Sequence, residues 1–428
     1  MITRKMDRKK VIQQNYFKLF TISLLVGLLS SVLASVLRYI TEHTEHFIFN
    51  YISKTNSLYF IVLPTIGITI LYFMRKHLFQ ARKNKGITEI YNTIDRRKDH
   101  LPFFKIPSHF IHGFITVIFG GSTGIEVSTV VSTATIGNEL YKKNFSAKLY
   151  KRELICAATA AGVAILFSSP LAGLLFGIEV ISRKFKKTIL ISCVASTLVA
   201  AIFIYTLGNE PLIPKYINDW KWHSLPFFFI LSILAGLFAV GFTVMVIKIK
   251  GIFGNITNNF MRVNLGALTV GLMIFYFPAL FGDSYHGLKE VVNSSSVTIP
   301  YLLLLVLLKP LAASLTLGAG GDGGVFAPSI VAGAFLGFAM AFFCQNVLHI
   351  DVNPINYALI GAGAALSAAI YAPFTSIFLV CNIVPNGYTL IIPLIVCCLI
   401  SKYFAKKILP YNVYTFDMYK ESIKKTLT

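Results

Sequence analysis

Long apolar runs separated by short polar clusters, most of them basic, set the pattern of this chain. The first run, Phe20 to Ile40, reads "FTISLLVGLLSSVLASVLRYI" and is long enough to cross a hydrocarbon core of ~30 Å as a helix. It exceeds a signal-peptide core, and no small-residue cleavage site follows, so a retained helix is expected. A second run covers Tyr59 to Met74, and others follow at about 153–183, 188–207, 225–249, 265–282, 298–317, 325–348, 355–385 and 388–404. Several are interrupted by Gly, Pro or Ser, as in "LFSSPLAGLLFGIE", "TLGAGGDGGVFAPSIVAGAFLG" and "AAIYAPFTSIFLV". Irregular backbone at membrane depth is tolerated only where protein buries it or where it lines a watery cavity. The pattern predicts an all-α polytopic protein with broken helices around a central site.

Composition agrees. Of 428 residues, 55% are hydrophobic and 13% charged, against about 25% charged in soluble domains; the mean hydropathy is +0.69. The net charge of +21 does not point to nucleic acid, because the basic residues sit in clusters between apolar runs. "TRKMDRKK" precedes the first run and "MRKHLFQARKNK" follows the second. Two crossings separate them, so both fall on one side, and the positive-inside rule makes that side, with the N-terminus, cytoplasmic. Cys156, Cys193, Cys344, Cys381, Cys397 and Cys398 lie in or beside apolar runs without metal-ligand spacing. The nine histidines do not cluster. No metal, cofactor or enzyme chemistry is expected.

Two pairs of segments repeat. "GIEVS" at 124–128 precedes "GVFAP" at 324–328 by 200 positions, and "AILFSSPLAGLLFGIEV" from Ala164 precedes "SAAIYAPFTSIFLVCNI" from Ser367 by 203, aligning Pro170 with Pro373. Matches in the same order at nearly one offset indicate an internal repeat. The organisation expected is a basic N-terminus (1–19), a first membrane half (20–207), a linker (208–224), a second half (225–404) and a short cytoplasmic tail (405–428), with no soluble domain following.

The stretch "FGGSTGIEVSTVVSTATIG", Phe119 to Gly137, carries one carboxylate, Glu126, preceded by three glycines in seven residues. An intramembrane carboxylate is costly and functional by default. Glycines let backbone approach a ligand.

These segments resemble the CLC family of chloride channels and proton–chloride antiporters. Gly124-Ile125-Glu126-Val127-Ser128, with Thr129-Val130 and Ile136-Gly137 after it, is similar to the family's G-[KR]-E-G-P. Gly324-Val325-Phe326-Ala327-Pro328 matches its G-x-F-x-P, and "YNVYT" resembles the segment holding its central tyrosine, here Tyr414. The resemblance runs in order from about residue 20 to 416. It implies two inverted-repeat halves of broken, tilted helices, a homodimer with one pore per subunit, and an inner (plasma) membrane location with both termini cytoplasmic. Helix N-termini carry about half a positive charge and free N–H groups. Pointed at mid-bilayer, the amides of Ile125, Glu126, Val325 and Phe326, with Tyr414, would hold an anion without a full cation. Glu126 would compete for that seat as a gate, and release on protonation would make it a proton carrier.

Three departures matter. The family's G-S-G-I-P-E is matched best by Asn84-Lys85-Gly86-Ile87-Thr88-Glu89, which puts Lys85 in place of an anion-binding serine; it either joins the site, snorkels into a vestibule, or is a basic loop residue. The internal proton-transfer glutamate of many antiporters falls on Val180, which cannot carry a proton; Glu179 stands beside it, as a substitute or as a partner of Arg183 or Lys184. Ile125 replaces a basic residue at the entrance. Asp322, before Phe326, reads as a turn-former bonding local N–H groups or as a charge tuning the entrance.

The expected function is transport of chloride or a similar small anion, with membrane lipid and a second copy as partners. Val180 tilts the mechanism slightly toward passive conduction. Proton-coupled antiport is the alternative, and a secondary transporter for another solute is a further one, though it would need more polar side chains at mid-membrane than this chain offers.

Overall fold

The computed structural model describes residues 2–79, 84–95, 100–143, 150–208, 211–215, 217, 219–294 and 297–427. The linker expected at 208–224 and the basic cluster at 74–85 lie partly outside them, as do the side chains of the first cluster.

The first half opens with α1 (Ile2–Thr55), α2 (Tyr59–His77), α3 (Ile87–Asp95), α4 (Lys105–Ile118) and α5 (Glu126–Lys142). It continues with α6 (Lys151–Leu166), α7 (Pro170–Phe176), a π turn over Gly177–Ser182, and α8 (Lys187–Leu207). The second contains α9 (Leu225–Gly254), α10 (Asn259–Tyr276), α11 (Tyr285–Asn293), α12 (Ile299–Ala319), α13 (Phe326–Asn346), α14 (Pro354–Ile370), α15 (Pro373–Cys381), α16 (Ile391–Ile408) and α17 (Phe416–Leu427). The fold is all-helical, as expected. Seven helices among the described residues are long and apolar enough to cross a membrane.

The breaks fall where Gly, Ser and Pro interrupt the apolar runs. Ser168 takes φ +49 two residues before Pro170, and Tyr371 takes φ +59 two residues before Pro373. In each case proline at the first turn starts a new short helix. The helices α4, of 14 residues, and α5, of 17, are about 21 and 26 Å long at 1.5 Å per residue. Neither spans the bilayer alone. They meet at the glycine-rich turn 119–125, inside the protein.

That turn and its counterpart at 320–325 are exchanged about a pseudo-twofold. The amide of Ser122 donates to Thr316 Oγ1 at 3.1 Å, and the amide of Asp322, 200 positions on, donates to Thr116 Oγ1 at 3.0 Å. Within each half, the Gly121 amide bonds the Thr116 carbonyl and the Gly321 amide bonds that of Thr316. Gly120 and Gly320 both take positive φ, +81° and +110°. Each threonine hydroxyl donates back to its own helix, to His112 and to Ala312. These hydroxyls therefore satisfy buried amides that no helix serves, and they pin each half to the other.

The segment after α16 carries Tyr414, the tyrosine that the family resemblance singles out. This segment, short and polar in sequence, turns back inward before α17 and buries Tyr414. Asn412 holds this turn, its side chain donating to the Ile370 carbonyl and accepting from the amides of Tyr414 and Thr415. The six cysteines are all free and buried.

Candidate functional site

The helix α5 begins at Glu126 with Ile125 at its N-cap, and α13 begins at Phe326 with Val325 at its N-cap. The loops ahead of them touch. Thr123 Oγ1 donates to the Asp322 carbonyl at 3.3 Å, and a Cβ on Gly323 would lie 3.2 Å from the Gly124 carbonyl. The two N-termini thus converge, and the sequence-derived residues Ile125, Glu126, Val325 and Phe326 come together.

Glu126 is 4% exposed. Its side chain folds back over the turn, so that both carboxylate oxygens fill the space a Cβ at Gly124 would need. It faces its own amide and that of Ala327, in the first turn of α13. The carboxylate of one half therefore sits against the positive N-terminal end of the other half's helix. Oε2 has no hydrogen-bond partner among the described residues.

Tyr414 closes the other side. The Val325 amide donates to its hydroxyl oxygen at 3.3 Å. A Cβ on Gly324 would lie 2.9 Å from that oxygen and collide with Val127, so glycine is what lets the tyrosine reach the N-terminus of α13. The Phe326 ring packs between Phe176 and Tyr414, with centroids 5.8 and 6.1 Å away.

Two cavities reach this junction. A small one, about 70 Å³, is lined by Ile125 and Glu126 together with Arg38, Glu42, Asp283, Tyr285 and Asn382. A larger one, about 470 Å³, reaches Val127, Gly323, Gly324, Val325 and Tyr414, and its walls carry Arg75, Lys85 and Lys250. Lys85 is exposed in this wall. Its amide donates to Glu89 Oε1 at 2.9 Å, closing the turn that starts α3.

Val180 is buried in the π turn. Glu179 does not pair with Arg183 or Lys184. Its Oε2 accepts from the amide and the hydroxyl of Thr375, both at 2.9 Å, and so caps the N-terminus of α15 across the repeat. Arg183 instead reaches Asp95 at 2.7 Å and lies over the Tyr91 ring. The expected pairing rested on spacing along one helix, and the positive φ of 55° at Arg183 ends that helix. Asp322 bonds a local N–H, as a turn-former does. Oδ1 accepts from the Gly323 amide at 3.1 Å, and Oδ2 lies 2.8 Å from His109 Nδ1.

Two basic residues were missed by sequence reasoning. His109 on α4 and Lys309 on α12 are fully buried and 200 positions apart. Each reaches the turn of the opposite half, His109 to Asp322 and Lys309 to Ser122 Oγ at 2.8 Å. Lys309 also donates to the Gly282 carbonyl at 3.0 Å and to Ser284 Oγ at 2.6 Å. The signal was present: Lys309 is a lone ammonium in the run "YLLLLVLLKPLAASLTLG", and an ionisable group inside a span asks for a partner.

Comparison with known proteins follows this geometry. The model of the family described as voltage gated chloride channel matches residues 66–406. The H(+)/Cl(−) exchange transporter ClcA of Vibrio cholerae is 26% identical over 412 residues, covering 91% of this chain and 86% of its own. ClcA of Yersinia pestis is 27% identical over 342 residues, covering 77% and 70%. Among solved structures, a slow cyanobacterial Cl−/H+ antiporter superposes with a TM-score of 0.82 at 22% identity, covering 96% of this chain and 99% of its own. A CLC-type fluoride/proton antiporter does so with 0.78 at 21%, covering 92% and 96%. With its two glycine turns bonded across the halves and a carboxylate at their junction, this chain belongs to the CLC family of voltage gated chloride channels and is a multi-pass membrane anion transport protein, not an enzyme.

Proposed function

We propose that the protein exchanges chloride for protons across the membrane, with Glu126 both competing with the anion and carrying the proton. The observation that carries this reading is the position of the Glu126 carboxylate, in the wall of the small cavity and against the amide of Ala327. An ionised carboxylate there fills a seat suited to an anion; once protonated it loses its attraction to the helix end and yields the seat. Loading a proton and admitting an anion are then linked events.

The slight preference for passive conduction drawn from Val180 gives way to exchange. Relatives that align over most of the chain are named H(+)/Cl(−) exchange transporters, and the similar structures are antiporters. Val180 remains the observation that favours conduction. Glu179, committed to Thr375, is a poor substitute carrier. The inner leg of the proton route is assigned to water in the large cavity, which reaches Tyr414 and the start of α13. The amides of Ile125, Glu126, Val325 and Phe326 and the Tyr414 hydroxyl are the proposed anion contacts, the anion displacing the Val325–Tyr414 bond. Lys85 is proposed to concentrate anions in the vestibule rather than to ligate one. By the positive-inside rule, the cavity carrying Arg75, Lys85 and Lys250 faces the cytoplasm of an inner-membrane homodimer.

The test is transport in liposomes. A chloride gradient should drive protons uphill in the natural protein, and Glu126→Gln should move anion without protons. Chloride flux that never moves a proton against its gradient would return the reading to a channel.

A further inference from the structure

Beside the cavity that holds Glu126, and sharing Asp283 with its wall, stands a group of ligand-bearing side chains that anion transport does not use. Glu45 on α1, Asp283 in the loop before α11 and His286 in the first turn of α11 place a ligand atom each within 4.8 Å of one another. Glu45 is 6% exposed, and Asp283 lines the cavity that also holds Glu126. Three residues from two distant segments are brought to one point.

The backbone is shaped for this approach. Gly282 takes φ +54, a conformation L side chains avoid, and the Glu45 carboxylate occupies the place of its missing Cβ. The Asp283 amide then donates to Glu45 Oε1 at 3.3 Å, and the Tyr285 amide donates to Asp283 Oδ1 at 2.9 Å. The His286 ring is held as well. It packs 4.2 Å from the Phe49 centroid, and Nε2 donates to the Pro278 carbonyl at 3.1 Å. A carbonyl only accepts, so the proton sits on Nε2 and the lone pair is left on Nδ1. A ring nitrogen bonded to a carbonyl is the usual support of a metal-binding imidazole.

Charge makes the same point. Lys309 is close by, but its three donors go to Ser122 Oγ, the Gly282 carbonyl and Ser284 Oγ, all neutral oxygens. Among the described residues neither the Glu45 nor the Asp283 carboxylate has an ion-pair partner. Two carboxylates this close, with one ammonium nearby that bonds neither, leave a site that favours added positive charge.

We propose that Glu45, Asp283 and His286 form a divalent-cation site beside the cavity that holds Glu126, of the chemistry that takes zinc, through which an external metal ion slows anion passage. Two carboxylate oxygens and one imidazole nitrogen, with an open position for water, is a zinc donor set. Ligands at ~2.0–2.2 Å from zinc stand about 3.4 Å apart in a tetrahedron, so small side-chain rotations close the triad. The position of the ion relative to Asp283 puts a double positive charge in the wall of that cavity, where it would hold an arriving anion and attract the Glu126 carboxylate.

Calorimetric titration of the full chain in detergent with zinc sulfate, in chloride-free buffer, tests the site directly. One zinc per subunit is expected, with affinity weakened at least tenfold by His286→Ala and by Asp283→Asn. Absence of binding, or affinity the same in both variants, would overturn the site. Should the variants fold poorly, zinc K-edge absorption of the natural protein reads the ligands: one imidazole with oxygens supports the site, and two or more imidazoles refute it. The blocking effect rests on the transport reading above and is measured separately, as anion efflux from liposomes with zinc on either face. At least fivefold slowing from one face, lost in His286→Ala, is expected; stoichiometric binding without slowing would refute the block while leaving the metal site intact.

Discussion

Replacing Glu126 by glutamine should tighten anion binding and abolish its dependence on pH. The carboxylate is tethered to the first residue of α5 and folds back onto the junction, against the Ala327 amide. Confined to a sphere of ~5 Å radius, it has an effective concentration on the order of 3 M. If the junction binds a free carboxylate with a Kd on the order of 0.1 M, self-occupancy weakens binding of an outside anion about thirtyfold, or ~2 kcal/mol. Glutamine keeps the shape and removes the charge, so chloride affinity should rise by about that factor. The pH behaviour has a fixed sign. Protonating Glu126 empties the seat, so proton and anion binding are positively linked. The affinity of the natural protein should therefore climb as pH falls and approach the glutamine value, while the variant stays flat. Calorimetric titration with chloride across pH measures both. A variant whose affinity still follows pH as the natural protein's does, or a natural protein that binds chloride less tightly in acid, would refute the competition.

Gly124→Ala introduces a Cβ into the space held by both Glu126 oxygens. The side chain must leave the junction, and chloride affinity should rise toward that of Glu126→Gln in the same titration. Thr116→Val removes the acceptor of the buried Asp322 amide, and Thr316→Val that of the Ser122 amide. Each should cost about 1–3 kcal/mol, read as a lowered melting temperature in detergent, and the two should resemble one another because the contacts repeat across the halves. Lys85→Ser removes an exposed charge from a watery wall. A unit charge ~10 Å away in water is worth about 0.4 kcal/mol, so chloride affinity should fall by about twofold at low salt and show no change at high salt; a tenfold loss would place Lys85 in direct contact with the anion.

Much of this protein is legible without coordinates. The apolar runs, their glycine and proline breaks and the basic clusters between them are local features, and local features set membrane helices because the bilayer demands internally satisfied backbone. Glu126 stands out for the same reason, as a charge where charge is costly. The repeat at an offset of 200 was readable as well, and the exchanged bonds of Ser122 with Thr316 and Asp322 with Thr116 are its physical content.

What the chain could not disclose is which distant groups complete each other. Glu179 looked like a partner for the basic residues just after it, but it caps a helix almost two hundred positions on. Tyr414 is singled out by resemblance, but the bonds of Asn412 that turn its polar stretch inward show only in the fold. His109 and the Glu45–Asp283–His286 group carry no short-range pattern, and Lys309, visible as a lone ammonium in an apolar run, finds its partners only in the fold. Sequence by itself settled where helices form and break, because that depends on neighbours a few residues apart. Only the tertiary structure decided which carboxylate meets which helix end, because a buried charge is satisfied by whatever group the folded chain carries to it.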